Sequence, residues 1–548
     1  MPEGAWRLRV HFQKLAQLPR HLIARLPLRR INVPPQAYAK LAALGPSTIA
    51  KGHPHIRIPI VTTITPINQL FPQPLWQWFE QICAIPHPSG HEAALSQHIQ
   101  SWAKERGLAV VEDHVGNLII RKPATKGMED RKTVVLQAHL DMVPQKNADK
   151  LHDFVTDAIQ PWIDGEWVKA TGTTLGADNG IGMSSALAIL SADDIRHGPL
   201  EVLLTVDEEA GMTGAFGLQA DMLNADILIN TDSEQEGEIY MGCAGGVDAE
   251  ITVPLQWQAA NADHLAYTLS IAGLKGGHSG VNIHLGRGNA NKLLARFLAG
   301  HATELGMMLS ELKGGSLRNA IPREAQCSFT VPASMADLLQ QRVAQYQGIL
   351  QAELATAEPA IKLTLGATPA PQQTMQAAAQ KILINLLNSC PNGVVRMSDE
   401  ITGVTESSLN LGVVGTQDNS VSVICMLRSL IDSGRENIES TLQSLCDLAG
   451  ATVAFTGCYP GWKPDTSSPV MAIVKDTYES IYNREPKIMV IHAGLECGLF
   501  KKNYPNLDMV SIGPTIRYPH GPDEMVNITT VGQYWTLLLA VLERIPAK

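Results

Sequence analysis

The chain has 548 residues, 45% of them apolar and 18% charged, with 43 Lys plus Arg against 53 Asp plus Glu and a formal charge of -10. That length allows several domains, or fewer if one is a large α/β unit, and the acidic balance argues against a nucleic-acid binder. No apolar stretch approaches the roughly 20 residues needed to cross a bilayer, and the eight dispersed cysteines form no C-x-x-C pair, so the expectation is a cytoplasmic protein without membrane contact and with reduced, mostly buried thiols.

The N-terminal stretch differs from the rest. Residues 1–60 hold ten Lys or Arg, eight Pro and a single acid, Glu3, leaving 33 basic and 52 acidic groups for the remainder. They lack the apolar region and cleavage site of a secretory signal. Residues 1–66 read as a basic, Pro-rich extension with no part in the chemistry, either disordered or the product of a start set too early. A presequence or a nucleic-acid-binding arm is the rival reading.

From residue 67 the pattern is that of a globular enzyme. Leu75, Trp76, Phe79 and Ile82 have helical spacing, and a second amphipathic helix spans 92–104. Short strands at 108–111 and 118–120 flank a turn at 113–117. Apolar strands follow at 132–138, 200–206 and 227–229, with a Gly- and Ala-rich helix at 181–190 and another helix at 215–223. Strands alternating with helices predict an α/β domain with a mixed sheet covered on both sides. From 246 to 465 the texture becomes α+β: strands at 247–253 and 265–271, a long helical stretch at 290–313, then further strands and helices, with Arg428 in a helical segment after a strand at 420–427. Residues 466–548 resume the α/β pattern, so 67–245 and 466–548 form one domain into which 246–465 is inserted.

Three apolar strands end in polar clusters: His139-Leu140-Asp141, Asp207-Glu208-Glu209 and, just past the third, Asp232. Ligands bind at the carboxyl ends of strands in open α/β sheets. A neutral imidazole at His139 can bind a metal through one nitrogen while Asp141 accepts from the other. Asp178 lies in a glycine-flanked turn opening a helix, and His520 lies in a loop before the last helix. Each has a plain structural alternative: a strand-end histidine, a capping aspartate, a solvated acid pair, a loop histidine. Together they offer nitrogen and carboxylate donors suited to zinc, with Co2+ or Mn2+ as substitutes.

These motifs, with Ile85-Pro86-His87-Pro88-Ser89, Leu175 to Gly182 and Gly273-Leu274-Lys275-Gly276-Gly277-His278-Ser279-Gly280, resemble the di-zinc peptidases related to aminoacylase and glutamate carboxypeptidase, and more closely their aminoacyl-histidine dipeptidase branch. The resemblance implies a three-layer catalytic domain interrupted by a lid domain, two Zn2+ per chain, and a homodimer formed through the inserted domain. It implies His139 and Asp232 on one metal, Glu209 and His520 on the other, Asp178 bridging them, Asp141 clamping His139, and Glu208 as general base. It further implies an oxyanion-stabilising role for His278 and substrate-binding roles for Asn319, Arg428 and Glu496. The activity so implied is hydrolysis of dipeptides with a free amino terminus by a water activated between the two metals. The alternatives are an N-acyl amino acid amidohydrolase with the same metal core and a metal-dependent interaction scaffold.

Overall fold

The computed structural model describes residues 66–548; the N-terminal extension lies outside the described residues except for Pro66. An eight-stranded mixed sheet runs in the order Ala109–Glu112, Leu118–Lys122, Leu200–Thr205, Val134–His139, Ile227–Asn230, Asp508–Ser511, Glu238–Cys243, Lys487–Ile491. Val134–His139 pairs in parallel with Leu200–Thr205 on one side and with Ile227–Asn230 on the other. Every residue of these three strands is buried, as a sheet covered on both faces requires.

The two-residue period of a strand divides its side chains between two cores. Leu136 packs with Trp76, Phe79, Leu187 and Leu538 beneath the helices Gln73–Cys83, Ala177–Ser191 and Ile528–Arg544. Val135 faces the other way, toward Leu203, Leu228, Phe500 and Met509. The result is the expected three-layer arrangement.

The intervening chain builds a second, antiparallel sheet: Lys362–Ala367, His264–Ala272, Ala325–Pro332, Met308–Gly314, Thr405–Thr416, Ser420–Ser429, Gly245–Pro254, Thr452–Tyr459, with Gly393–Met397 added beside Thr405–Thr416. It has its own apolar core and forms the inserted lid domain. The return strands Lys487–Ile491 and Asp508–Ser511 belong to the first sheet, so the two outer segments pack together. No helix among the described residues is long and apolar enough to cross a membrane. All eight cysteines are free thiols, and Cys458 alone is exposed.

Three expected elements differ. The helix foreseen at 215–223 is only Thr213–Gly217, because the amides of Met222 and Leu223 donate to the Tyr504 hydroxyl instead of continuing the helix. The helical stretch at 290–313 divides into helix Ala290–His301 and strand Met308–Gly314. Gly306 breaks it at φ 60°, a conformation glycine tolerates without a Cβ clash. Arg428 is not helical: it sits near the end of Ser420–Ser429, paired with Ser408 on one side and Gly246 on the other.

The helix Ala177–Ser191 is buried on nearly all sides, and Gly182 is where it approaches the strand end most closely. A Cβ there would collide with Asn179 Oδ1 and Thr231 Oγ1 and lie 2.8 Å from the Thr231 carbonyl. Gly182→Ala should therefore cost about 1–3 kcal/mol by overpacking. Gly348→Ala, on a helix with nothing within 4 Å, should be stabilising by up to about 1 kcal/mol. Calorimetric midpoints of the two variants check this contrast.

Candidate metal centre

Parallel pairing makes the three central strands end on the same edge of the sheet. His139 closes Val134–His139; the turn after Leu200–Thr205 carries Glu208 and Glu209; Asp232 follows Ile227–Asn230. The turn is sharp: Asp207 has φ 55°, in the left-handed region that side chains other than glycine seldom adopt. It is held by Thr213 Oγ1 donating to Asp207 Oδ2 at 2.8 Å and by the Asp207 amide donating to Glu92 Oε1 at 3.0 Å. His520 (φ 60°) sits in a second strained loop.

Asp141 ties the first strand end to the second. Its Oδ1 lies 3.3 Å from His139 Nδ1 and accepts from the Glu208 amide at 3.0 Å. Oδ2 accepts from Ser89 Oγ at 2.7 Å and from the Glu209 amide at 3.1 Å. Burial opposes its charge, but His139 and these donors hold its pKa at about 2.

Asp178 occupies the middle. Its Oδ1 lies 3.2 Å from His139 Nε2, and its Oδ2 lies 3.2 Å from His520 Nε2. His139 Nε2 is also 3.3 Å from Asp232 Oδ1, and His520 Nε2 is 3.1 Å from Glu209 Oε2. The donor atoms fall into groups no wider than 4.8 Å: His139, Asp178 and Asp232; Asp178, Glu209 and His520; His139, Glu208 and Glu209. The first two groups share Asp178.

This much negative charge needs compensation. Two carboxylates about 4 Å apart repel by roughly 4 kcal/mol at an effective dielectric constant of about 20. Among the described residues the two imidazoles are the only cationic partners of Asp178, Glu209 and Asp232, and no Lys or Arg pairs with them; Asn179 adds a neutral donor to Asp232 Oδ1. The strain shows in the titration of the metal-free groups. Burial, then Asp178, pushes Asp232 up to about 7 and raises Glu209. Burial lifts Glu208 well above its ordinary value against the pull of His139. Hydrogen bonds to Asp178 and Glu209 carry His520 to about 11. Three carboxylates and two imidazoles, gathered into two groups and short of cations, fit two divalent metal ions.

A second cluster comes from the lid. His278 Nδ1 accepts from the amides of Gly280 and Val281, both at 3.1 Å, which leaves the proton of the neutral imidazole on Nε2. Burial, Arg428 and His520 lower its pKa to about 4. The loop is anchored at its feet by buried Glu358, which accepts from the amides of Lys275 at 2.7 Å and Gly288 at 3.0 Å. Arg428 is 4% exposed and forms no ion pair with the described residues. It donates to Tyr459 Oη at 3.0 Å and Ser279 Oγ at 3.3 Å, and its Nη2 lies 3.5 Å from His278 Nε2. Two donors thus stand side by side.

Asn319 is exposed next to this loop, its carbonyl accepting from the Ser279 amide at 2.8 Å. Glu496 is 1% exposed; its Oε2 accepts from Gln137 at 2.6 Å and Thr205 at 2.8 Å, while Oε1 has no partner among the described residues.

The sequence model of Peptidase family M20/M25/M40 matches residues 135–544, which include His139, Asp141, Asp178, Glu208, Glu209, Asp232, His278, Arg428, Glu496 and His520. The chain belongs to that family. This M20/M25/M40 peptidase is 60% identical over 482 residues to the cytosol non-specific dipeptidase of Escherichia coli K12, covering 88% of this chain and 99% of the relative. It is similar to the crystal structure of aminoacylhistidine dipeptidase from Vibrio alginolyticus, at 59% identity and a TM-score of 0.82, over 88% of this chain and 99% of that one. Aminopeptidase PepT of Bacillus cereus, 18% identical over 87% and 99% of the two chains with a TM-score of 0.54, shares the fold. The chain is therefore a metal-dependent hydrolase of the family with a candidate dinuclear centre.

Several participants had no signal of their own in the sequence. Tyr459 and Glu524 stand in unremarkable local strings, and their parts come from contacts 31 and about 350 residues away; Ser89 lies in the Ile85–Ser89 motif, but nothing in that string announces its bond to Asp141, 52 residues on. His492 donates to or accepts from Ser408 Oγ at 2.8 Å; burial, Arg428 and His278 lower its pKa to about 3.

Since Asp178 serves both groups and His520 only one, Asp178→Ala should strip both metals, whereas His520→Ala should leave about one metal per chain. Metal analysis after desalting checks this. His278, with its pKa at about 4, should be neutral between about pH 5 and 9; His278→Asn should lower kcat without moving the acid limb of the kcat/KM profile.

Proposed function

We propose that this chain hydrolyses dipeptides with a free amino terminus, of the Xaa-His type with broad specificity, using two zinc ions held by His139, Asp178, Glu209, Asp232 and His520. The observation that carries the reading is the Asp178 carboxylate, with one oxygen turned to each of two imidazoles. The names of the Escherichia coli and Vibrio relatives support the substrate class, and the former supports a cytoplasmic location.

When bound, the metal pair would supply an acidified water and a polarised peptide carbonyl. Glu208 would accept the proton of the attacking water and return it to the leaving amine. Its place beside Glu209, with the Glu208 amide held by Asp141 Oδ1 at 3.0 Å, supports that role. Asp141 keeps the His139 ring and the Glu208–Glu209 backbone in fixed relation. The Nε2 proton of His278 would stabilise the developing oxyanion, and neutrality preserves it as a hydrogen-bond donor that takes no part in proton exchange.

Arg428 would take the free carboxylate of the substrate in a forked hydrogen-bonded pair; its burial without an ionic partner among the described residues supports that role. Asn319 would contact the backbone of the dipeptide, and the unpartnered Oε1 of Glu496 is the candidate acceptor for the amino group. Requirements at both charged ends select dipeptides over longer chains and over N-acyl amino acids.

Homodimerisation through the lid is part of the proposal. Val394, Val395 and Met397 on the outer strand Gly393–Met397, and Val281 and Leu285 on the neighbouring loop, are exposed apolar side chains that support a self-association surface.

Glu208→Gln should retain both metals and lose about 10²–10⁴-fold in kcat. In a comparison of Ala-His, Gly-Gly, N-acetyl-His and a tripeptide, the first two should be cleaved and the last two not. Preferential cleavage of N-acetyl-His would replace dipeptidase with amidohydrolase.

A further inference from the structure

His520 and Asp178 are separated by 342 residues, and the tip that carries His520 is poorly packed: Tyr518 is 64% exposed and the His520 side chain 52%. Something other than burial must fix the second metal group. Four residues beyond His520 lies Glu524, only 2% exposed. Its Oε2 accepts from the amides of Leu175 at 2.8 Å and Gly176 at 3.0 Å, and its Oε1 from those of Ala177 at 2.7 Å and Asp178 at 3.3 Å.

These amides belong to the turn that leads into helix Ala177–Ser191, where Asp178 (ψ 109°) and Asn179 depart from helical backbone and Gly176 at φ 72° gives no side-chain cap. One carboxylate from the His520 loop therefore supplies the acceptors for four amides that would otherwise lack them. The donors are the backbone of the Asp178 turn itself. A displacement of Glu524 thus moves the shared ligand and the His520 loop relative to each other.

We propose that Glu524 is a positioning residue for the dinuclear centre: a strap between the His520 loop and the Asp178 turn that sets the geometry of the Asp178, Glu209 and His520 group. The inference rests on the two-metal reading above. Glu524→Gln preserves size but replaces one accepting oxygen with an NH2 donor that faces two backbone amide donors, which leaves those amides unsatisfied.

The test is a cobalt titration of metal-stripped protein followed by visible absorption. Wild type should take up two equivalents tightly. Glu524→Gln should take up the first, bind the second about 10–100-fold more weakly, and recover its full spectrum in excess Co2+. Glu358→Gln, which loosens an equally buried carboxylate bonded to backbone amides in the lid, should titrate as wild type.

Wild-type affinity for both equivalents in Glu524→Gln would overturn the inference, as would an equal loss in Glu358→Gln. Fewer than two equivalents in wild type would instead defeat the two-metal reading. Should Glu524→Gln be insoluble, Glu524→Asp is titrated in its place with the same expected result. Insolubility of both would also overturn the inference, since a residue confined to positioning ligands must be dispensable for folding.

Discussion

Carboxylate oxygens of Asp178 lie within 4.8 Å of Asp232 on one side and of Glu209 on the other, distances at which like charges repel by several kcal/mol, and among the described residues the only cationic partners of the three carboxylates are His139 and His520. Most proteins avoid such crowding or neutralise it with Lys or Arg. Here the backbone enforces it, through parallel strand pairing, the Asp207 turn and the anchored His520 loop. The surplus of negative charge is the constraint around which the site is arranged, and a pair of divalent cations would relieve it.

The two domains divide the remaining work. The first sheet fixes the three strand ends that lead to the candidate ligands by ladder hydrogen bonds. The lid contributes a different chemistry: a neutral imidazole with its proton on Nε2, and a buried guanidinium without an ionic partner among the described residues. Both are groups that an anionic atom would satisfy. Their environments keep them poised, since burial and Arg428 together oppose protonation of His278.

Much of the first domain was legible in the sequence because local pattern and tertiary environment agree there. The stretch 132–138 reads as a doubly buried strand and the strand is Val134–His139, buried throughout, and the polar residues at the strand tips had no other evident task. Agreement failed where a distant contact outweighs local preference. The segment 218–223 has helical periodicity but is captured by the hydroxyl of Tyr504, some 280 residues on. Arg428 stays extended because strands on both sides supply its ladder partners. Glu524 lies in a Pro-Asp-Glu string that looks like any solvated loop, and nothing local shows that it faces the amides of Leu175 to Asp178.

The central claim is that two cations share Asp178. Anomalous diffraction at the zinc edge from crystals of the holoenzyme tests it most directly. Two peaks about 3.5–4 Å apart, one beside His139 and Asp232 and the other beside Glu209 and His520, with Asp178 between them, are the predicted result. A single peak, or two peaks with Asp178 bound to only one, would contradict the account.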